Sequence, residues 1–379
     1  MSQSSFPGRL GVLQQWLPSY RLDFFDMLAA RCDGGLCICA GESPTGDLPD
    51  VAKLKCAKVH VVRNYRPLTG AFELILQRGT LGWLRTFDPE VLVATPNPRM
   101  PSVMLARRWM RSRGRKTLGW GLGTMAVTSG IPMAVRQVVR RPLISGFDGM
   151  IAYSSRAARE YEALGFPRDH ICIARNATAH RPVSEPQQRP IRSGAGVTVV
   201  SLGQLTPPKR IDLLISACAT LAREGTAPID LIIIGDGPAR SALEQHAKTE
   251  FPSTRFIGHC AGDSLRSFLA SADLFVMPGM GGLAIQEAMA SALPVIVAEG
   301  DGTQMDLVRP GNGWNVATDS LSGLVVAMRD AVSDIPRLRQ MGAESFRIVN
   351  EEINLESMVD AYIDAVCALA SPNGEITHQ

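Results

Sequence analysis

Short apolar runs alternate with stretches of helical periodicity along the whole chain. Leu10–Leu13, Leu36–Ala40, Val59–Val62, Val91–Ala94, Thr117–Trp120, Met150–Ser154 and Ile171–Ala174 read as buried strands. Between them, Arg21–Arg31 places Leu22, Phe25 and Leu28–Ala29 at helical spacing, and Ser155–Leu164 has a serine N-cap and Gly165 beyond its end. Phe72–Arg78 is read as a further short helix, closed by Gly79. The rhythm stops at Arg181–Gly196, which is rich in proline and lacks apolar periodicity. It then restarts with strands at Val197–Leu202, Ile229–Ile234, Arg255–Gly258, Leu274–Met277 and Val295–Ala298. Helices are read at Ile211–Arg223, Ala239–Lys248, Leu265–Ala272, Leu283–Ala292, Leu321–Val332 and Met358–Leu369, and a turn at Gly311–Trp314. Strand followed by helix, repeated, predicts parallel sheets with right-handed crossovers: an α/β protein of two Rossmann-like domains. The expected boundaries are a first domain over 1–180, a linker over 181–196, a second domain over 197–354, and a C-terminal helix over 355–379 that packs back toward the first domain.

One stretch organises the second half. Leu274–Gly300 reads as strand, glycine turn, helix, strand. Pro278 and Gly279 stop the first strand, Gly281 and Gly282 make the turn, and Leu283 opens the helix. Free N–H groups and a partial positive charge at such a helix start suit a phosphate. Glu287, a little over one helical turn on, could bond sugar or ribose hydroxyls of the same ligand. The stretch has two meanings. Gly279-x-Gly281-x-x-Ala284, with Glu299 about 20 residues further on, fits a dinucleotide fingerprint and a dehydrogenase. The other meaning is the donor site of a glycosyltransferase.

Bulk properties narrow the rest. At 379 residues and 45% apolar, the chain can bury large cores. Its net charge of +3 hides an asymmetry. Residues 1–180 hold 24 Lys/Arg against 13 Asp/Glu, and the remainder is acidic. Met104–Lys116, with Arg107, Arg108, Arg111, Arg113, Arg115 and Lys116 beside Trp109 and Met110, reads as a basic amphipathic helix. It is either a solvated face or a dock for an anionic membrane surface. Thr117–Val135 is uncharged, but its glycines and Pro132 argue against a membrane span and for a strand entering a glycine loop. Eight scattered cysteines without a C-x-x-C pair read as buried free thiols in a reduced cytoplasm, and the N-terminus lacks a signal pattern. No D-x-D, no metal-ligand spacing and no G-K-[ST] loop occurs, so neither a metal nor another cofactor is expected. The basic half carries no nucleic-acid motif.

The ordered segments GQL-TPPK-RIDLLI, LIIIGDGP, RFIGH, SADLFVMPG, GLAIQEAMASALPVIV and GNGW resemble the retaining, nucleotide-sugar-dependent glycosyltransferases of family 4 (group 1). The first half is similar more loosely, through Tyr20-Arg21 and the IAYSS and RNAT strand ends. The resemblance implies a GT-B fold, two Rossmann-like domains facing a cleft. It implies that Lys209 binds the donor diphosphate and that Glu287 contacts the ribose, with Gly281, Gly282 and Leu283 offering N–H groups. Gly203, Gln204, Arg210, Gly235, Gly258, His259, Gly279 and Asp301 complete the donor side. Tyr20, Arg21, Gly121, Leu122, Gly123 and Asn176 form the acceptor side.

Three positions depart from the family. Gln204 stands where arginine is usual, with Arg210 as a substitute; Gly279 replaces the first glutamate of E-x7-E; Leu122 stands where many relatives have histidine. The expected activity is transfer of a sugar from a nucleoside diphosphate to a hydroxyl of a glycan or polyprenyl-linked acceptor. It would retain configuration, at the inner membrane face, in cell-surface polysaccharide assembly. The alternatives are a non-catalytic or partner-dependent relative and an NAD-dependent oxidoreductase.

Overall fold

The computed structural model describes residues 4–43, 51–68, 73–123, 140–186, 189, 196–226, 228–300 and 302–371. The chain divides into two compact units, Met1–Thr178 with Leu355–Gln379, and Ala179–Asn354.

The first unit is built on a seven-stranded sheet. Its strands are β1 (Leu10–Trp16), β2 (Leu36–Gly41), β3 (Lys58–Val61), β6 (Val91–Ala94), β7 (Lys116–Gly121), β8 (Gly149–Ala152) and β9 (Ile171–Ile173), in the order β3-β2-β1-β6-β7-β8-β9. Every pairing is parallel. Strands buried on both faces read as continuous apolar runs, which is why the sequence shows them. One face carries α1 (Leu22–Ala29) and the C-terminal helix α12 (Leu355–Ala370), with Phe24, Phe25, Trp120 and Tyr362 packed between. The other carries α2 (Thr80–Phe87), α3 (Pro101–Arg111) and α4 (Ser155–Ala163). Cys37 and Cys39 share that second face, and burial raises both thiols, Cys39 to about 12.

Two readings are corrected here. The helix read over Phe72–Arg78 gives way to a strand: Leu74–Arg78 is β5, an antiparallel partner of β4 (Arg63–Leu68), and Phe72 lies outside the described residues. The basic helix begins at Pro101 and ends at Arg111, and Lys116 belongs to β7. Of Thr117–Val135, residues 124–135 lie outside the described residues.

The second unit repeats the plan. Strands β10 (Val197–Leu202), β11 (Ile229–Ile234), β12 (Arg255–Gly258), β13 (Leu274–Met277), β14 (Val295–Ala298) and β15 (Gly313–Val316) form one parallel sheet, ordered β12-β11-β10-β13-β14-β15. Gly311–Trp314 therefore runs into an edge strand rather than making only a turn. Helices α5 (Ile211–Arg223) and α10 (Leu321–Ser333) cover one face. The other is covered by α7 (Gly262–Ser271) and α8 (Leu283–Ala290). Helix α6 is Arg240–Glu250, α9 is Gln304–Leu307 and α11 is Ile335–Arg347. Helix α11 carries a clear start signal, an Asp334 cap bonding the Arg337 N–H with Pro336 in the first turn. The strand order reverses between β10 and β13, where ligands bind in open parallel sheets.

Candidate active site

The loops leaving β10 and β13 meet at that switch point. After β10, Gly203 and Gln204 lead into Thr206-Pro207-Pro208-Lys209, and the Met280 N–H bonds back to the Pro208 carbonyl at 2.9 Å. This bond ties the glycine turn to the lysine loop. Lys209 is half-buried, and its ammonium lies where a Cβ at Gly281 would be 2.7 Å from Nζ, and one at Gly203 3.6 Å. Lys209, Gly203 and Gly281 thus converge, although the chain separates them widely.

Gly279 has a steric explanation. A Cβ there would lie 2.5 Å from the Lys209 carbonyl carbon and closer still to the Pro208 oxygen. Backbone atoms cannot yield as a side-chain tip can. Any larger residue at 279 would push the lysine loop away, so glycine at 279 and the placement of Lys209 are one feature.

Helix α8 starts at Leu283 with Gly282 as its N-cap and no side-chain cap bond. Its first-turn N–H groups are thus left for an incoming acceptor group. One residue that the sequence reading passed over braces this turn. Gln304, almost fully buried, donates from Nε2 to the Gly281 carbonyl at 2.8 Å and accepts from the Gly302 N–H at 3.1 Å. Thr303 Oγ1 would be 3.1 Å from a Cβ at Gly282. Asp301 lies outside the described residues.

The neighbouring strand ends are locked by backbone bonds. The Gly203 N–H bonds to the Ile234 carbonyl and the Gly235 N–H to the Gly258 carbonyl, at 3.0 and 2.8 Å. Gly235, at φ 137°, is a position where a Cβ would collide with the Gly203 oxygen. Gln204 and His259 are exposed. Arg210 adopts a left-handed conformation, φ 52°, and its guanidinium is engaged by Asp212 and Asp319. The Asp212 hydrogen bonds raise its pKa further. Glu287 is exposed on α8.

Arg189 was read as part of a linker, yet it is built into this unit. Its guanidinium donates to the Ala292, Leu269 and Ser291 carbonyls at 2.5–2.9 Å, closing the C-terminal ends of α7 and α8. Burial pushes its pKa down to about 10.

The acceptor-side residues form a different environment in the first unit. Arg21 is 4% exposed, and its guanidinium lies within 5.3–5.8 Å of the Tyr20, Phe24, Trp120 and Tyr153 ring centres. It donates to Asn176 Oδ1 and to Met358 Sδ of α12. Arg21 and Asn176 are therefore brought together, with the cation facing the core. Gly121 and Gly123 pack against Tyr161, whose hydroxyl accepts from the Gly123 N–H at 3.2 Å, and Leu122 between them is half-buried. On α3, Met104, Leu105, Arg108 and Arg111 are exposed. Arg107 is instead half-buried over the Phe147 ring at 4.4 Å, and burial pushes its pKa down to about 10. Among the described residues no cluster of His, Cys, Asp or Glu could hold a metal, and no helix is long and apolar enough to cross a membrane.

The family described as Glycosyl transferases group 1 matches residues 185–347. A GDP-mannose-dependent alpha-mannosyltransferase of Mycolicibacterium smegmatis is 30% identical over 292 residues, 72% of this chain and 73% of that protein. The chain belongs to the group 1 glycosyltransferases. A GDP-mannose-dependent alpha-(1-6)-phosphatidylinositol monomannoside mannosyltransferase of Mycobacterium tuberculosis is 31% identical, with 69% of each chain covered. Among solved structures, Anabaena HepE in complex with UDP superposes with TM-score 0.73 at 16% identity, over 95% of this chain and all of that one. Sucrose-phosphate synthase from Thermosynechococcus elongatus gives 0.72 at 16% identity, over 95% and 98%. These likenesses establish the GT-B fold of this glycosyltransferase, and family membership removes the oxidoreductase reading of the glycine turn.

Proposed function

We propose that this glycosyltransferase takes a mannosyl group from GDP-mannose and transfers it, with retention, to a hydroxyl of a lipid-linked glycan. The observation that carries the reading is Lys209 Nζ held against Gly281 beside the uncapped start of α8. A fixed ammonium and aligned N–H groups stabilise the charge that develops on a departing diphosphate without a metal. The mannosyl donor is drawn from the printed activities of the two mycobacterial relatives. Gly279 defines a subfamily in which the lysine loop occupies the space of the usual glutamate, so the contact to the sugar comes from other residues. Glu287 holds the ribose. The exposed Met104, Leu105, Arg108 and Arg111 of α3 rest on an anionic inner membrane face, bringing the enzyme to its lipid-linked acceptor.

The test is incubation with GDP-[14C]mannose, and in parallel with UDP-glucose, plus a membrane lipid extract. Label should pass to the organic phase from GDP-mannose and not after Lys209→Ala. Equal transfer by that variant would remove the lysine from the chemistry. Consumption of UDP-glucose alone would replace the donor, and turnover of neither would favour the non-catalytic reading.

A further inference from the structure

Gln304 opens α9 and is 1% exposed. Three glycines surround its amide. Nε2 donates to the Gly281 carbonyl at 2.8 Å, and Oε1 accepts from the Gly302 N–H at 3.1 Å. Gly300 makes the room, since a Cβ there would stand 2.8 Å from Nε2. One partner can only accept and the other can only donate, so the two bonds fix which way round the amide lies. What they hold is the peptide between Gly281 and Gly282. No cis peptide occurs among the described residues, and in a trans peptide the carbonyl and the following N–H point in opposite directions within one plane. With the Gly281 carbonyl drawn onto a buried amide, the Gly282 N–H points away from that amide. No group among the described residues accepts from it.

We infer that Gln304 is a positioning residue of the diphosphate site: it holds the Gly281–Gly282 peptide in the orientation that presents an N–H, rather than a carbonyl oxygen, to the ligand. The inference rests on the diphosphate reading of this turn. The need for it comes from the glycines themselves. A Cβ at Gly281 would be 2.7 Å from Lys209 Nζ, so that position lacks one for the ammonium to stay. Yet a peptide flanked by two glycines has no side chain to resist rotation of its plane, and both orientations are sterically open. The flipped peptide would turn its carbonyl toward the phosphate oxygens, where it repels them. It would also set the Gly282 N–H against the Gln304 amide nitrogen, donor against donor. Gln304 therefore selects the binding orientation before a ligand arrives, which removes a cost that binding would otherwise carry. A glutamate has the same shape and could still accept from Gly302. Ionised, it has no proton for the Gly281 carbonyl and would accept from the flipped Gly282 N–H instead.

The experiment compares the full wild-type chain with Gln304→Glu and Gln304→Met at pH 8. Each is titrated calorimetrically with GDP and UDP, and with guanosine and uridine. Gln304→Glu should bind the diphosphate that the wild type binds about tenfold more weakly, and the parent nucleoside as well as before. Gln304→Met does not attract the flipped N–H and should lose less, about threefold. A role in stability alone predicts the reverse order, because methionine gives up both bonds and glutamate only one, and it predicts equal losses for nucleotide and nucleoside. If the buried carboxylate unfolds the second unit, the methionine variant decides, by losing affinity for the diphosphate and not for the nucleoside. A second arm needs no nucleotide: in the deuterated, 15N-labelled chain the Gly282 amide should give one signal in the wild type and a displaced or second one in Gln304→Glu. An undisplaced signal, the reverse order of the variants, or undiminished diphosphate affinity in both would overturn the proposal. Binding of neither diphosphate to the wild type would instead remove the diphosphate reading, and the role of Gln304 falls with it.

Discussion

The two units share a strand plan and differ in what lies at the carboxyl ends of their strands. In the second, those ends are glycine and main chain: Gly235 meets the Gly203 backbone, Gly279 meets the Pro208–Lys209 backbone, and the Lys209 ammonium lies against Gly281. In the first, the corresponding ends are filled by Trp120 and Tyr153 around a buried guanidinium. Glycine lets a diphosphate approach N–H groups closely, whereas aromatic rings exclude it and offer faces instead. One topology therefore carries two kinds of surface, and the difference lies in a few residues at or just beyond the strand ends.

The comparison breaks most severely at Gly279. Gly279→Glu should destabilise the second unit by about 3 kcal/mol or more and abolish nucleotide binding, because its Cβ meets the Pro208–Lys209 main chain. Thermal unfolding with and without GDP measures both effects, and a folded, GDP-binding variant would refute the steric account. Lys209→Ala comes next: transfer should fall on the order of a hundredfold while the melting temperature stays put, since a half-exposed lysine contributes little packing. Arg189→Met should cost about 1.5–3 kcal/mol in stability by releasing three helix-end carbonyls, with little effect on the Michaelis constant once folded. Steady-state kinetics alongside denaturant unfolding separates the two. Gly281→Ala sharpens the picture, for its methyl meets the flexible tips of Lys209 and Met277 rather than main chain; transfer should fall about tenfold with the fold intact.

The smallest effect belongs to the first unit. Asp26 accepts from the Lys55, Cys56 and Ala57 N–H groups at 2.7–2.9 Å. Burial works against its ionised form, but the three backbone bonds outweigh it, so its pKa lies below the usual 3.8. A carboxylate with a depressed folded pKa contributes stability above its unfolded value, and that contribution is lost as pH falls through the folded value. Asp26→Asn should therefore lower stability modestly at neutral pH, where the contribution is fully present, and flatten the acid limb below pH 3.8, so that the two curves converge in acid. A chemical denaturation series across acid pH reads this directly.

The sheets were legible because buried parallel strands are continuous apolar runs closed by glycine; Val197–Leu202, Ile229–Ile234, Leu274–Met277 and Val295–Ala298 were read with their observed bounds. Phe72–Arg78 misled because a short amphipathic segment pairs with β4, and nothing local distinguishes that from one helical turn. The lysine and the glycine turn were legible as an ordered set of segments. Their contact was not, since it depends on the β10–β13 crossover. Gly279 was singled out in the sequence, but the crowding that requires glycine there is tertiary. Gln304 and Arg189 each act through one polar side chain satisfying distant carbonyls, and a lone polar residue carries no periodic signal.

The central claim is that Lys209 and the Gly281 turn form the diphosphate site. Calorimetric titration of GDP and UDP into the wild-type chain and into Lys209→Ala tests it most directly. The account predicts that one diphosphate binds and that the variant binds it at least about tenfold more weakly, the loss of one charge-assisted contact. Equal affinity in the variant, or no binding of either nucleotide to the wild type, would contradict it.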